Sequence, residues 1–224
     1  MTPSRPSVEL FNKELFYEYF DVSRETLDRL VVFESILRKW QKTINLVSPA
    51  SLEQLWHRHF ADCAQVLDLA PLDARLWVDL GSGAGFPGLV LAILRSGRGL
   101  PGGQVAPILI ESDQRKAAFL REVARQTGVI VDIIDRRIEL GSTQDRISSA
   151  DIVSARALAP LNKLLGLSAG LMGKGGRGLF LKGRGVSDEI EIAKRAWRFS
   201  CRMVPSITDP LGRIVVIENV EAKA

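Results

Sequence analysis

The apolar positions of this chain change period near residue 75. Before it, Leu27, Leu30, Val31, Ile36, Leu37, Trp40 and Ile44 recur at helical spacing behind an N-cap at Ser23. Leu52, Leu55, Trp56 and Phe60 continue as a second amphipathic segment. Residues 1–74 therefore read as helical with no convincing strand, and their aromatics fall on apolar faces that belong to a core. From Arg75 onward, short apolar runs alternate with amphipathic ones. Strands are predicted at 76–80, 106–111, 129–134, 151–155, 177–182 and 213–219, with a further one near 200–204. Helices are predicted at 86–95, 113–127, 160–171 and 187–198. This alternation predicts an α/β fold, a parallel sheet with helices on both faces, over 75–224, preceded by a helical extension over 1–74.

The sharpest feature lies where the first strand meets the first helix, in Leu76-Trp-Val-Asp-Leu-Gly-Ser-Gly-Ala-Gly-Phe-Pro-Gly88. Gly81, Gly83 and Gly85 permit positive φ and a close approach of backbone to a ligand. Pro87 fits only the first turn of a helix and marks its start. Free N–H groups at that helix end suit a polar or anionic cofactor group. Gly83 to Gly88 also fits the dinucleotide fingerprint G-x-G-x-x-G, by itself a weak signal. Asp79, just before the first glycine, is unwelcome beside a pyrophosphate and suits a cofactor with an amino group, such as the methionine part of S-adenosylmethionine. The stretch Val-Asp-Leu-Gly-x-Gly-x-Gly resembles the first motif of the S-adenosylmethionine-dependent methyltransferases. The next strand ends at Glu111, whose carboxylate can accept both ribose hydroxyls, the role of the acidic residue in dinucleotide folds. Ser112 and Asp113 follow as candidate cofactor contacts or, in the plainer reading, as caps of the following helix. The segment Ser96 to Gly103 reads as an extended loop.

Composition adds bounds more than chemistry. The 224 residues suffice for one α/β domain with a small appendage. No 18-residue apolar run and no signal-like N-terminus is present, so a soluble, cytoplasmic protein without a membrane partner is expected. The two cysteines, Cys63 and Cys201, lie far apart and are expected to be reduced and structural. His57 and His59 form no metal motif, and no metal is expected. A net charge of +4 fits a nucleic-acid partner without establishing one.

Three further clusters carry candidate chemistry. Asp135-Arg-Arg-Ile-Glu139 follows the third strand, where a loop would cover an adenine. Arg156 ends the fourth strand, beside the crevice in which such sheets bind ligands, and can anchor a cofactor carboxylate or an RNA phosphate. Gly173-Lys-Gly-Gly-Arg-Gly178 and Lys182-Gly-Arg-Gly185 read as flexible basic loops that follow a phosphate backbone or serve as ordinary turns.

Taken together, these segments resemble the RsmG family, also called glucose-inhibited division protein B, from about Phe33 to Glu218. Trp40-Gln-Lys-Thr-Ile-Asn-Leu-Val-Ser48 is similar to the family's Trp-x-x-x-x-Asn-Leu-x-Ser stretch, and Arg58-His-Phe-Ala-Asp62 to its Arg-His-x-x-Asp. Gly81 to Gly88 resembles its cofactor turn and Asp151 to Ala157 its fourth-strand motif. The resemblance implies a Rossmann-like class I methyltransferase sheet whose last strand, Arg213 to Glu218, runs in reverse. It implies S-adenosylmethionine contacts at Gly81, Phe86, Ile138, Glu139 and Arg156. Glu111 stands where many members have Asp, and the longer side chain still reaches a ribose. The implied reaction methylates N7 of a guanine in 16S ribosomal RNA, guanine 527, on the RNA or the small subunit, by an enzyme expected to be a monomer. Guanine N7 carries a lone pair and no proton, so no general base is expected, and holding N7 in line is the main requirement. Asn45, His59, Lys182 and Arg184 are candidates for the RNA side. A ribose 2′-O-methyltransferase, with Lys182 and Glu218 activating a hydroxyl, and a non-catalytic ribosomal RNA assembly factor are the competing readings.

Overall fold

A computed structural model describes residues 10–97, 105–147 and 149–223. Most of the loop expected at Ser96 to Gly103 lies outside the described residues. The extension holds α1 (Lys13–Tyr19), α2 (Arg24–Trp40), α3 (Pro49–Glu53), and a wide π-helical turn (Trp56–Ala61) that runs into α4 (Asp62–Ala64). Ser23 caps α2 as its sequence predicts, accepting from the Thr26 amide at 3.1 Å. Leu30, Phe33, Ile36 and Leu37 turn inward, whereas Val31, placed on the apolar face by spacing, points outward and is 38% exposed. One helical position is about 100° of rotation, enough to move Val31 off the stripe.

The α/β part runs β1 (Trp77–Leu80), α5 (Gly88–Ser96), β2 (Ile108–Ile110), α6 (Gln114–Thr127), β3 (Asp132–Ile134), α7 (Gly141–Gln144) and β4 (Ala150–Arg156). It continues with α8 (Leu161–Ser168), β5 (Met172–Lys182), α9 (Val186–Ala196), β6 (Trp197–Pro205) and β7 (Arg213–Ala222). The sheet order is β3-β2-β1-β4-β5-β7-β6, with β1 to β5 parallel and β7 antiparallel to both β5 and β6. The order reverses between β1 and β4, which opens a crevice at their carboxyl ends. The extension joins the core of the sheet: Phe16, Leu30, Phe33 and Phe60 share one buried cluster with Phe86, Leu89 and Phe119. The opposite face is closed by α8 and α9 through Leu161, Leu164, Leu165 and Ile190.

The predicted loop Gly173 to Gly178 is strand, the first half of β5, paired to β4 across a register shift between Ala150 and Ile152. Gly176 is there for space, because a Cβ on it would stand 2.6 Å from the Ala150 carbonyl oxygen. This half of β5 lies at the end of the sheet away from the crevice. Arg177 is committed to Glu218 at 2.7 Å and to the Leu69 carbonyl oxygen. It therefore cannot follow a phosphate backbone at the crevice.

One buried chain of hydrogen bonds fixes the turn after β1. The Trp77 indole donates to Ser154 Oγ at 2.8 Å, and Ser154 donates to Asp79 Oδ1 at 2.6 Å. The second oxygen, Asp79 Oδ2, accepts from the Gly88 amide at 3.1 Å, where α5 begins behind Pro87. A Cβ on Gly88 would stand 2.6 Å from Asp79 Oδ2. Gly88→Ala is therefore expected to lower stability by about 1–3 kcal/mol, as overpacking in a closed interior does; urea denaturation of the two proteins measures it.

Candidate functional site

The carboxyl ends of β1, β2 and β4 lie in register, with Leu80 opposite both Ile110 and Ala155. Gly81, Glu111 and Arg156, each the next residue or the last of its strand, therefore meet at one level. They open on a cleft of about 480 Å³ also lined by Ser82, Gly83, Ala84, Phe86 and Ser112, with Ile138 and Glu139 from the loop after β3. Gly81, Gly83 and Gly85 take φ of 63°, 56° and 85°, a region that favours glycine. Beside Gly83 the nearest atom to an added Cβ is the Gly81 carbonyl oxygen at 3.7 Å, so a side chain there would reach open space. Glu111 holds this turn: Oε2 accepts from the Gly83 amide and Oε1 from the Asp113 amide, both at 2.8 Å. Each oxygen keeps a further lone pair for a ligand hydroxyl. Lys116, Arg136, Arg137 and Lys163 add positive charge to the lining.

Not every residue singled out by sequence reaches this cleft. Asp79 is 1% exposed and lies behind the turn, bound to Ser154 and Gly88, outside the lining. Burial pushes its carboxyl up to about 6 against the pull of those hydrogen bonds. Its carboxylate braces the turn itself, from behind the residues that line the cleft. Gly85 also stays outside the lining, against Leu89. Asp113 caps α6 by accepting from the amides of Arg115 and Lys116, the plainer of its two readings. Ser82 and Ala84 line the cleft and were not singled out, although they sit between the glycines that were.

Arg156 is the wall between this cleft and a second one of about 600 Å³. Its Nη2 donates to His59 Nδ1 at 2.6 Å, and its Nη1 donates to the Arg58 carbonyl oxygen at 3.1 Å and faces Asp62 Oδ2 at 3.4 Å. The guanidinium also lies 4.9 Å from the centre of the Phe86 ring. Asp62 is held in turn by Thr208 Oγ1 at 2.9 Å and Gln65 Nε2 at 3.0 Å. The wide π-helical turn brings Arg58, His59 and Asp62 to the same guanidinium, a local irregularity of a kind frequent at functional sites. Directly after Arg156, Ala157 takes φ of 54°, a strained conformation for a residue with a side chain, where the two clefts meet.

The second cleft is lined by Arg58, His59, Asp62, Lys182, Glu189 and Asp209 among others. Lys182, expected to face RNA, is 9% exposed at its side chain and bonds Glu189 at 2.7 Å and the Ala159 carbonyl oxygen at 2.6 Å. Glu218 pairs with β5 at Arg177, five residues before Lys182 and so about 16 Å along the strand. The lysine–carboxylate set of a ribose methyltransferase is therefore not assembled from these two. Asn45 is exposed beside Leu46 and Val47, which line the first cleft, and Arg184 is exposed in the turn before α9; neither lines either of these two clefts. Of the cysteines, Cys63 is buried and Cys201 exposed, and both are free. No helix among the described residues is long and apolar enough to cross a membrane.

Burial, with Arg156 and then Arg58 beside it, lowers His59 from its ordinary 6.5 to about 3. The unfolded chain then takes up a proton below pH 6.5 that the native ring refuses until about pH 3. The contribution of His59 is present above pH 6.5 and is lost as pH falls toward 3. Asp79 acts in the opposite sense, since its raised value favours the native state at low pH and that contribution fades as pH rises from 3.8 through about 6. Replacing His59 by Gln is expected to flatten the loss of stability between pH 6.5 and 4, as read from denaturation midpoints across that range.

Comparison with known proteins extends this geometry. The family described as GidB, rRNA small subunit methyltransferase G, matches residues 26–212. The ribosomal RNA small subunit methyltransferase G of Parvibaculum lavamentivorans is 50% identical over 212 residues, 95% of this chain and 91% of that protein. The protein of the same name from Rhodospirillum centenum is 48% identical over 220 residues, 98% of this chain and 96% of its own. Among solved structures, a methyltransferase from Geobacter sulfurreducens superposes with a TM-score of 0.57 at 12% identity, covering 94% of this chain and 98% of that one. A TehB-like SAM-dependent methyltransferase from Corynebacterium glutamicum gives 0.54 at 16% identity, over 85% and 99%. At such identities the structures speak for the fold, that of a class I methyltransferase. The family match and the two close relatives span nearly the whole chain, which belongs to the GidB family of rRNA small subunit methyltransferases G.

Proposed function

We propose that this chain transfers a methyl group from S-adenosylmethionine to N7 of a guanine in 16S ribosomal RNA, guanine 527, and that it works in the cytoplasm as a monomer. The first cleft has the donor set this cofactor needs. Glu111 offers carboxylate lone pairs to a ribose diol, and Ile138 offers an apolar face to a purine, with Ser112 and Glu139 beside them. The open side of the turn at Gly83 admits a chain along the backbone. Bound there, S-adenosylmethionine supplies an electrophilic methyl group on a sulfonium.

The observation that carries the N7 assignment is the state of the second cleft. Each acid or base there that could remove a proton is already engaged. Asp62 faces Arg156, Glu189 pairs with Lys182, Asp209 faces Arg58 at 3.6 Å, and His59 Nδ1 accepts from Arg156. A hydroxyl substrate needs a general base aimed at its proton, and these groups are turned to their cationic partners. Guanine N7 has no proton to lose, so this chain's task reduces to holding the ring in line, and a rigid, paired wall suits that task. The carboxylates of Asp62 and Asp209 also face a ring that gains positive charge on methylation. The assembly-factor reading requires none of this pairing.

Two outcomes follow. Replacing Glu111 by Ala removes the brace on the Gly83 amide and the ribose acceptor. It is expected to weaken S-adenosylhomocysteine binding about 10- to 100-fold, measured by isothermal titration calorimetry. Incubation of the wild-type protein with methyl-labelled S-adenosylmethionine and small subunits from cells lacking the activity is expected to label the 16S RNA. Borohydride–aniline treatment, which cuts at N7-methylguanine, should then give a single cleavage. Label without cleavage would move the reaction to another atom, and binding of S-adenosylhomocysteine without label would favour an assembly role.

A further inference from the structure

Three carboxylates line the second cleft, and they differ in what they leave open. Asp62 is largely shielded, with Oδ1 taken by Thr208 and Gln65 and Oδ2 facing Arg156. Glu189 commits Oε2 to Lys182 and to the Leu161 amide, both at 2.7 Å, and so ties α9 to the start of α8. Asp209 is the most open of the three, 34% exposed at its side chain. Its Oδ1 accepts from the Leu211 amide at 2.9 Å, and its Oδ2 faces Arg58 at 3.6 Å, too long for a hydrogen bond. Each oxygen keeps a lone pair for a further donor. An exposed ion pair of this kind contributes little, so a ligand displaces it easily. The loop that carries Asp209 is nonetheless fixed. Thr208 bonds Asp62 and His57, Ile207 bonds Gln65, and the Ser206 amide closes the loop on the Gly212 carbonyl oxygen at 3.1 Å. A Cβ on Gly212 would stand 3.1 Å from the Asp209 Cβ, so the loop folds closely around that side chain. Arg58 also sets the scale of the cleft. Its carbonyl oxygen meets Arg156 at the boundary and its guanidinium meets Asp209. That reach, one arginine residue, is comparable with the width of a purine from N7 to its Watson–Crick edge.

We infer that Asp209 reads the Watson–Crick edge of the target guanine, accepting from N1–H and the 2-amino group while N7 faces the boundary at Arg156. The inference rests on the N7 reading above and adds to it the residue that selects the base. Unpaired bases in RNA are read on that edge. Guanine carries two donors side by side there, which the two oxygens of a carboxylate match with charge-assisted bonds. Adenine presents a bare N1 lone pair at the same place, which a carboxylate opposes. The same contact aids the reaction. Methylation uses the N7 lone pair and leaves the ring positive, so N1–H and the amino group become stronger donors as the new bond forms. A carboxylate held against them then binds the transition state more tightly than the ground state. Asp209 touches the substrate and takes no proton, and N7, on the opposite edge, stays free to attack.

The test pairs a change in the protein with the matching change in the RNA. Small subunits are reconstituted with 16S RNA bearing guanosine or inosine at the target position; inosine keeps N7 and N1–H and lacks the 2-amino group. Wild type and Asp209→Asn are compared by kcat/KM for methyl transfer, with S-adenosylhomocysteine binding as the check on folding. Asparagine keeps an Oδ1 for the Leu211 amide and replaces the second acceptor by a donor. Wild type is expected to favour guanosine over inosine about 10-fold. Asp209→Asn is expected to slow methylation of guanosine about 10- to 100-fold while binding S-adenosylhomocysteine as wild type does. The two losses should not multiply: the variant should treat guanosine and inosine nearly alike. A purely structural role would slow both RNAs and keep the preference; that result, or a wild-type rate in Asp209→Asn, would overturn the inference. Should Asp209→Asn fail to bind S-adenosylhomocysteine, Asp209→Ser, whose hydroxyl can accept from the Leu211 amide, carries the comparison, and a wild-type ratio near one overturns the inference by itself. Label that yields no aniline cleavage would remove the N7 reading and this inference together, whereas cleavage with independent penalties removes the inference only.

Discussion

The guanidinium of Arg156 is the interaction on which the two clefts depend. It leaves the end of β4 and meets the Arg58 carbonyl, His59 Nδ1 and Asp62 across 94 or more residues of sequence. Other polar contacts tie the extension to the segment before β7, through Asp62, Gln65 and His57, but Arg156 is the one that reaches it from the end of β4, at the boundary of the two clefts. The pair with Asp62 is largely shielded, with side-chain exposures of 18% and 19%. Its worth lies in geometry more than in net stability, because desolvation of both charges offsets much of their attraction.

A second constraint supports the first from below. Ser154 sits two residues before Arg156 on β4 and joins Trp77 and Asp79 of β1 to the start of α5. The same strand thus fixes the glycine turn on one side and the Arg156 wall on the other. Phe86 belongs to the turn, and its ring lies under both Arg156 and His59. A cofactor bound against the turn and a base bound against the extension are therefore referred to one rigid frame. For a reaction that asks only for alignment, that frame is most of the catalyst.

Much of this was legible in the amino-acid order. Alternating apolar runs located every strand of the sheet, since buried strands and amphipathic helices differ in period, and the glycine turn with Pro87 marked the first cleft. Glu111 was legible because it ends a strand one step beyond the core. Other features were hidden for identifiable reasons. Gly173 to Gly178 looked like a loop because glycine-rich segments carry no period, and only the close approach of β4 shows why glycine is needed. Asp79 was placed next to the right turn, yet spacing cannot tell whether a side chain points toward a ligand or behind it. Lys182 was on the expected strand, but its partner Glu189 comes from α9 and no local pattern announces the pair. The wide turn at Trp56 to Ala61 was invisible because a π-helical turn keeps nearly the same apolar pattern as an α-helix. With it went the meeting of His59, Asp62 and Arg156, which are adjacent only in space.

The most direct measurement is a cryo-electron microscopy structure of this chain on the small ribosomal subunit with S-adenosylhomocysteine bound. The account predicts the adenosine between Glu111 and Ile138, the thioether sulfur at the Phe86–Arg156 wall, and the target guanine in the second cleft with N7 facing that sulfur. A guanine that reaches the cofactor from the side of Lys116 and Arg137, leaving the second cleft empty, would contradict it.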